Sequence, residues 1–381
     1  MSINRSFLFW IFIFNITLGI SQSDPKNDYN VTFYDLEVQL APDLKRIAGK
    51  NHIWFYSQER MDSIHFDIKK PLQVARVIFN GKKLGFTQTN DQVKIGLPYR
   101  LTKGTRASIE ILFAGDLRGR SEWRPVWSKD YLNKDLIAIT SEEVSPESWW
   151  PVKNYLGDMP DSMHLSVIYP DDSKVISSIP HQKISTLPGN YTKWEFHFSF
   201  PIFPHQVGFH VGDFVSVKDV YTNESGNHPI EIFSARSQKN NSQEKIQKIK
   251  TYFAFLEKYY GPYPFWGNGF QWFELPSHPV SGQNNSVNQV SISQDEEDQG
   301  LYRQLFLNWF GRTIKPAGPK DQWIFEALLT YNEALYMENQ GNEGLANKYL
   351  LTLKTRMGAP VLYMDSNLDN PKLKEQVGIK G

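Results

Sequence analysis

The hydrophobic period of the chain changes once, near residue 215, and this change constrains the fold more than any other feature. Before it, apolar residues alternate with polar ones, as at Leu36, Val38 and Leu40. A period of two is typical of strands with one buried face. After it, residues 243–260 place apolar side chains three and four positions apart, the spacing of an amphipathic helix. The sequence therefore predicts a β-rich part followed by a part that contains helices.

Strands are predicted throughout the first part. Asn80-Gly81 follows one of these strands and is a strong signal for a tight hairpin turn. The predicted strands lie at 29–40, 75–79, 108–113, 163–169, 194–200 and 207–214. We expect them to form an antiparallel β domain.

In the second part, Gly261 is expected to end the helix 243–260. A short β-like segment is predicted at 269–275. The acidic run 295–298 suits the first turn of a helix that continues through Leu305 to Trp309, because acidic side chains there favour the helix dipole. A further helix is predicted at 323–339.

Composition excludes several function classes. The 41 basic and 41 acidic residues balance, which gives no electrostatic argument for a nucleic-acid partner. The absence of cysteine excludes thiol catalysis and cysteine-based zinc sites. It also favours a bacterial periplasmic or surface protein over a disulfide-rich extracellular one. The nine histidines show no metal-binding spacing, so His205, His210 and His278 are interpreted as core or surface residues.

Residues 1–23 are predicted to be a secretory signal peptide. Arg5 supplies the positive charge, an apolar stretch follows from Phe7 to Ile20, and small or polar residues come next. A membrane anchor is the alternative, although the apolar stretch is short for one. We therefore expect a protein that is secreted, periplasmic or attached to the cell surface, with no membrane span once the signal is removed.

Several stretches, in their order along the chain, resemble peptidase family M1, the zinc aminopeptidases. The resemblance extends from near the mature amino terminus to the last residue. The stretches are Trp149-Trp150-Pro151, Asp158-Met159-Pro160-Asp161-Ser162, Val211-Gly212-Asp213-Phe214, Tyr260-Gly261-Pro262-Tyr263-Pro264, Trp309-Phe310-Gly311 and Trp323-Ile324-Phe325-Glu326. The resemblance implies an N-terminal β domain of sandwich or saddle type, followed by a thermolysin-like catalytic-type domain.

The zinc-binding motif of the family, His-Glu-x-x-His-Gln-Trp-Phe-Gly, is altered here. Counting back from Trp309-Phe310-Gly311, the five positions of His-Glu-x-x-His hold Arg303-Gln304-Leu305-Phe306-Leu307. The resemblance implies that Arg303 and Leu307 stand at the two histidine positions and that Gln304 stands at the position of the general base. The third ligand of the family is a Glu that 18 intervening residues separate from the second His, and Glu326 is present at that position.

Two other functional motifs of the family are also changed. The Gly-x-Met-Glu-Asn loop, whose Glu binds the substrate amino terminus, is similar to residues 280–284, in which Gly282, Gln283 and Asn284 are the candidates for the substrate cleft. The Tyr-Glu-Lys-Gly motif is similar to residues 378–381, with Gly378 at the position of the transition-state Tyr. This second match rests mainly on Lys380 and Gly381.

These replacements remove the groups that zinc binding and general-base catalysis need. Arg303 stays charged and cannot bind zinc, and Leu307 has no ligand atom. A zinc site needs about three protein ligands, so one carboxylate is not enough. Gln304 cannot accept a proton as a general base. We predict an ion pair between Arg303 and Glu326 in place of zinc, whereas a different register would leave Arg303 on a solvated helix face.

The sequence thus predicts a multidomain α+β protein with a signal peptide at 1–23, an N-terminal β domain at 24–216 and an incomplete thermolysin-like domain at 217–381. The expected function is that of a non-catalytic relative of the zinc aminopeptidases, without a cofactor, that binds peptides or another protein chain. One alternative is an active zinc aminopeptidase with unrecognised ligands. Another is a gene fragment without a function. A domain that stops at 381 is expected to expose helix faces, which a partner chain would cover.

Overall fold

The computed structural model describes residues 25–117, 126–130, 132–139, 145–155, 158–170, 173–236, 242–275, 289–293, 302, 305–310, 314 and 322–355. The predicted signal peptide, His278 and the acidic run 295–298 lie outside these residues. Most of the described chain is β-sheet, with a few helices in its second half.

Among the described residues, fifteen strands precede residue 213. They are β1 (Tyr29–Ala41), β2 (Arg46–Ser57), β3 (Met61–Asp67), β4 (Gln73–Phe79), β5 (Lys82–Leu84), β6 (Phe86–Gln88), β7 (Gln92–Leu101), β8 (Arg106–Asp116), β9 (Val126–Lys129), β10 (Asp135–Ile139), β11 (Ser162–Pro170), β12 (Lys174–Ser177), β13 (Lys183–Leu187), β14 (Tyr191–Phe198) and β15 (Phe209–Gly212). All six predicted strands overlap observed ones. The segment predicted at 207–214 contains β15 and the first residue of another strand.

These strands form three sheets. The largest has eight strands in the order β13-β14-β11-β1-β2-β8-β4-β5, and the others have the orders β12-β15-β10-β9 and β3-β7-β6. One hydrophobic cluster takes buried residues from all three sheets and from Trp149 and Trp150. The inward face of β1 shows the expected alternation, since Leu36, Val38 and Leu40 are fully buried.

The prediction of an antiparallel domain is wrong at the centre of the large sheet. β1 pairs in parallel with β11, from Phe33 opposite Ser162 to Gln39 opposite Ile168. A parallel pair needs a long connection between its strands, and here more than 100 residues separate them. The local pattern of each strand carries no information about the direction of its neighbour.

The Asn80-Gly81 turn is confirmed. Phe79 lies opposite Lys82, so two residues connect β4 to β5. Both turn residues have a positive φ, 49° at Asn80 and 74° at Gly81. A two-residue hairpin loop of this kind matches the strand twist, and it favours Asn and Gly because they adopt such φ values at low cost.

In the second half, the structure describes a fourth sheet, three helices with defined bounds and a few helical residues between 302 and 306. The sheet has the order β16-β17-β18-β19, in which the first pair is antiparallel and the other two pairs are parallel. The elements are β16 (Phe214–Asn223), β17 (Gly226–Ala235), α1 (Ser242–Tyr260), β18 (Phe270–Leu275), β19 (Gln289–Ser293), α2 (Gln322–Asn339) and α3 (Glu343–Thr355). Among the described helices, none is long and apolar enough to cross a membrane.

Helix α1 forms as predicted. Its apolar stripe is fully buried at Ile246, Ile249, Phe253 and Leu256. Gly261 ends the helix with a φ of 84°, and its N–H donates to the Glu257 carbonyl at 3.0 Å. A left-handed glycine is a common helix stop, because it satisfies a free carbonyl without steric strain.

The cores of the two halves are largely separate. Buried residues of the first cluster run from Tyr29 to Val211, and those of the second run from Tyr221 to Leu329. A third, smaller cluster joins residues of both halves, including Leu136 and Phe273. The domain limits 24–216 and 217–381 remain predictions.

Candidate functional site

The segment at 302–310 carries the altered zinc-binding motif, and its described residues define which side faces the core. Tyr302, Leu305, Phe306 and Trp309 are all at most 5% exposed. Their spacing of three, four and seven residues is that of one helix face. Leu307 is half-buried and packs against the same hydrophobic cluster. It is the residue that the sequence places at the second histidine position.

The end of this helix differs from the prediction. Residues 305 and 306 are helical, but residues 307–309 form a turn, so the helix does not reach Trp309. The N–H of Asn308 donates to the Leu305 carbonyl at 3.1 Å, and that of Trp309 donates to the Phe306 carbonyl at 3.0 Å. Bonds between residues three apart tighten the last turn of a helix.

Aromatic rings hold the segment between α1 and α2. The Tyr302 ring stacks on Tyr336 with centroids 4.3 Å apart and meets Tyr252 edge-on at 5.5 Å. Burial raises the pKa of Tyr302, and the neighbouring Asn332 amide opposes this rise. Asn332 is fully buried in α2, where its Oδ1 accepts a hydrogen bond of 2.7 Å from the Tyr260 hydroxyl. The position of the altered motif is therefore fixed by packing on two helices.

Glu257 connects the turn after α1 to the hairpin of β16 and β17 through hydrogen bonds. Its carboxylate accepts hydrogen bonds from the Tyr221 hydroxyl at 2.9 Å and from the Asn223 amide at 2.9 and 3.0 Å. It also accepts one from the Tyr263 N–H at 2.9 Å and one from the Trp266 indole at 2.7 Å. Burial and the Glu257 carboxylate raise the pKa of Tyr221. The carboxylate is saturated with donors, so we assign it a structural role.

The loop at 145–158 holds a buried ion pair. Lys153 Nζ lies 2.5 Å from Asp158 Oδ2, and both side chains are 3% exposed. The same Nζ donates to the Tyr29 carbonyl at 2.5 Å, and the Val31 N–H donates to Asp158 Oδ2 at 3.0 Å. The pair therefore links the loop to the first strand of the sheet.

A second set of charges lies beside this pair. Lys26 is 2.8 Å from Asp67, and Lys69 is 2.8 Å from Glu147. Asn154 joins the two pairs, since its N–H donates to Asp67 Oδ2 and its amide donates to Glu147 Oε2, both at 2.9 Å. Burial raises the pKa of Asp67, although Lys26 opposes the rise. Every cation in this cluster has a carboxylate partner, as expected of a structural network.

The structure describes only part of the predicted site. Leu307 is half-buried, and Glu326 lies in α2, although its side chain is not among those described. The other predicted positions, Arg303, Gln304, Gly282, Gln283, Asn284 and Gly378, lie outside the described residues. The ion pair between Arg303 and Glu326 remains a prediction. Within the described part of the chain, no group of three or more His, Asp or Glu side chains is arranged to hold a metal ion.

Sequence reasoning missed the roles of Glu257 and Lys153. Lys153 follows Trp149-Trp150-Pro151, and a charged residue beside buried tryptophans was the available signal. Of the histidines, His210 is fully buried and stacks on Phe273 at 4.3 Å. Burial lowers its pKa to about 3. Such a residue is part of the core.

Comparison with curated proteins finds glutamyl aminopeptidases. The protein from Rattus norvegicus is 22% identical over 339 residues, which cover 79% of this chain and 34% of the relative. The protein from Homo sapiens is 22% identical over 313 residues, which cover 76% of this chain and 31% of the relative. The chain thus spans about a third of the length of these relatives. No family model matches it.

Comparison with solved structures finds zinc metallopeptidases of the same family. The M1 zinc metallopeptidase of Deinococcus radiodurans has a TM-score of 0.76 at 18% identity, over 92% of this chain and 78% of that one. This chain is a relative of the M1 aminopeptidases. A variant of the Deinococcus radiodurans enzyme bound to a Tyr-Ser-Ala substrate gives a TM-score of 0.75 at 19% identity, over 92% and 79% of the two chains. The mostly β architecture with few helices is therefore that of the M1 metallopeptidases.

Proposed function

We propose that this M1 relative does not cleave peptides and that its remaining role is to bind a peptide or another protein chain. The observation that carries the proposal is that Leu307, at the second histidine position, is half-buried and packs against the hydrophobic cluster of the second half. Tyr302, Leu305, Phe306 and Trp309 form the buried face of the segment 302–310. In a regular helix, residues four positions apart, such as 303 and 307, would lie on one side, as two ligands of one metal would.

The residues at those positions do not fit zinc. Leu307 supplies no nitrogen, oxygen or sulfur atom, and an arginine cannot bind a metal through a protonated guanidinium. Glu326 alone is one ligand of the three that zinc usually takes from a protein. Gln304 cannot act as the base that takes a proton from a metal-bound water. These residues therefore do not fit a catalytic zinc ion.

The side-chain packing around the altered motif supports a binding role. The aromatic packing of Tyr302 on α1 and α2 keeps this segment in the core, and the Trp309 indole N–H donates to the Gly261 carbonyl at 3.0 Å. A cleft with Gln283 in place of a carboxylate would hold a peptide ammonium group less tightly than an active enzyme does. The tripeptide Tyr-Ser-Ala, the substrate bound by the structural neighbour, is a suitable first probe.

The first test is the zinc content of the purified chain, measured by elemental mass spectrometry after dialysis without added metal. We expect no stoichiometric zinc at positions 303, 307 and 326, and no release of the terminal Tyr from Tyr-Ser-Ala. About one tightly bound zinc per chain together with cleavage would overturn the proposal and favour the active alternative. Binding of the intact tripeptide, measured by calorimetry, would support it.

A gain-of-function variant tests the placement of the motif. Arg303→His, Gln304→Glu and Leu307→His together restore the family pattern, so the triple variant should bind one zinc per chain. Adding Glu326→Gln to it is the matched control, and this should abolish stoichiometric binding because one ligand is lost. A folded triple variant without zinc would show that these positions do not face one another.

We also propose that residues 1–23 direct export and are then removed. The supporting observation is the charged start and apolar stretch of the sequence. Intact-mass analysis of protein recovered from the periplasm of a bacterial host should show a new amino terminus near residue 24. An unprocessed chain in the membrane fraction would favour the anchor instead.

A further inference from the structure

Three histidines that are far apart in the sequence meet in one row across the eight-stranded sheet. His52 on β2 lies opposite Asp35 on β1, Asp35 lies opposite His164 on β11, and His164 lies opposite His197 on β14. Their neighbours along each strand are buried in the core, whereas these four side chains are half-buried or exposed. The row therefore lies on the outward face of the sheet.

His164 and His197 are neighbours in this row. They lie directly opposite each other on antiparallel strands, with ring centroids 6.4 Å apart. Side chains in such pairs start about 4.5–5.5 Å apart at Cβ, so both rings can reach the same point above the sheet. His197 is exposed, and 26% of the His164 side chain is exposed. Both rings are therefore accessible from the outward face of the sheet.

Asp35 orients one of the two rings. Its Oδ1 lies 2.8 Å from His164 Nδ1, within hydrogen-bonding distance. A neutral imidazole that donates through Nδ1 keeps its lone pair on Nε2. A carboxylate behind a histidine is the usual support for a metal-binding imidazole, since it fixes the ring and raises its basicity.

The charges around the pair indicate which kind of ion fits. Glu195 Oε1 lies 3.8 Å from His164 Nε2, but this carboxylate also contacts Lys183 at 3.5 Å and Lys193 at 3.8 Å. The two lysines offset the carboxylates, so the site has little electrostatic attraction for Ca²⁺ or Mg²⁺, which need several oxygen ligands. Imidazole nitrogens instead suit late first-row ions, and Cu²⁺ binds such ligands most tightly.

We propose that His164 and His197 form a surface site for a late first-row divalent cation, held by the two imidazoles and completed by water, with Asp35 as a positioning residue. The site has two protein ligands, which is consistent with the absence of a three-residue group in the described part of the chain. It lies on the N-terminal sheet and does not depend on the altered motif at 303–326.

Cu²⁺ is the probe that tests this site. Electron paramagnetic resonance of the full chain with less than one equivalent of Cu²⁺ should show hyperfine coupling to two imidazole nitrogens. His197→Gln should reduce this to one nitrogen and weaken Cu²⁺ binding by at least about tenfold. Asp35→Asn should keep both nitrogens and weaken binding by about 10- to 100-fold, the usual effect of losing a supporting carboxylate.

His181→Gln is the matched control, because His181 is exposed and packs on Trp194 rather than on another described histidine. It should leave the affinity and the spectrum unchanged. A His197→Gln protein that binds Cu²⁺ like the parent, or a parent spectrum without two imidazole nitrogens, would overturn the site. Unchanged affinity in Asp35→Asn would overturn the positioning role.

His197→Gln distinguishes a failure of this proposal from a failure of the proposed function. Zinc bound at the surface pair is lost in His197→Gln, whereas zinc bound at 303–326 persists there. The zinc measurement on the parent chain and on His197→Gln therefore shows which site holds the zinc: loss in the variant supports the surface site, whereas persistence contradicts the proposed function.

Discussion

Replacing Lys153 by methionine tests the buried ion pair that fixes the loop 145–158. Lys153 Nζ lies 2.5 Å from Asp158 Oδ2 and 4.4 Å from the centre of the Tyr29 ring, and it donates to the Tyr29 carbonyl. Methionine keeps the apolar stem and removes the charge. The Asp158 carboxylate, 3% exposed, is then left with the Val31 N–H as its one described donor.

The expected loss in the free energy of unfolding follows from this geometry. Removing one partner of a buried pair leaves an uncompensated charge and costs about 3–5 kcal/mol. Asp158→Asn leaves an acceptor for the Val31 N–H but leaves Lys153 without its counter-ion, so it too should destabilise. The double variant removes both charges, and it should therefore cost less than the sum of the single variants by about 0.5–3 kcal/mol.

Urea unfolding followed by tryptophan fluorescence measures these changes, because Trp149 and Trp150 are buried in the same loop. Lys103→Met is the control, since Lys103 pairs with Glu59 at the surface, where the side chains are 74% and 62% exposed. It should cost about 0–1 kcal/mol. If Lys153→Met costs no more than this control, or if the double variant is additive, the reasoning is refuted.

Three further predictions concern stability. Burial lowers the pKa of His210 from its ordinary value of 6.5 to about 3 in the folded chain. Between these two values the unfolded chain binds one more proton than the folded chain, so the free energy of unfolding should fall as the pH drops from about 6.5 towards 3. His210→Asn should flatten this part of a curve of stability against pH. Glu257→Leu removes the acceptor of several buried donors and should cost at least about 1–3 kcal/mol in urea unfolding. A Cβ on Gly115 would lie 2.7 Å from Leu72 Cδ2 and 2.9 Å from its Cα, so Gly115→Ala should lower the thermal midpoint, whereas Gly85→Ala, with open space around it, should not.

The local elements were predictable because their causes lie within a few residues. Alternation at Leu36, Val38 and Leu40 predicts a strand with one buried face, and Asn80-Gly81 predicts a hairpin because both residues tolerate a positive φ. The end of α1 at Gly261 follows from the same property. Helix α3 was missed, because most of its residues are exposed and it lacks a strong apolar stripe.

The family relationship was also predictable, since it rests on short motifs whose order survives in the sequence. The identities at 303, 304 and 307 alone predict the loss of zinc chemistry, because a leucine has no ligand atom in any fold. The direction in which that segment faces was not available from the motif. It is fixed by the burial of Tyr302 against Tyr336, which comes from another helix.

Tertiary structure decided the contacts between distant strands. The sequence itself determines which segments form strands or helices, because side-chain period and turn chemistry act locally. Three other contacts depend instead on strand order and register. They are the parallel pairing of β1 with β11, the hydrogen bond from Lys153 to the Tyr29 carbonyl, and the pairing of His164 with His197. Strand order and register are set by the packing of the whole core, since each strand pairs through backbone groups that are the same in every residue except proline.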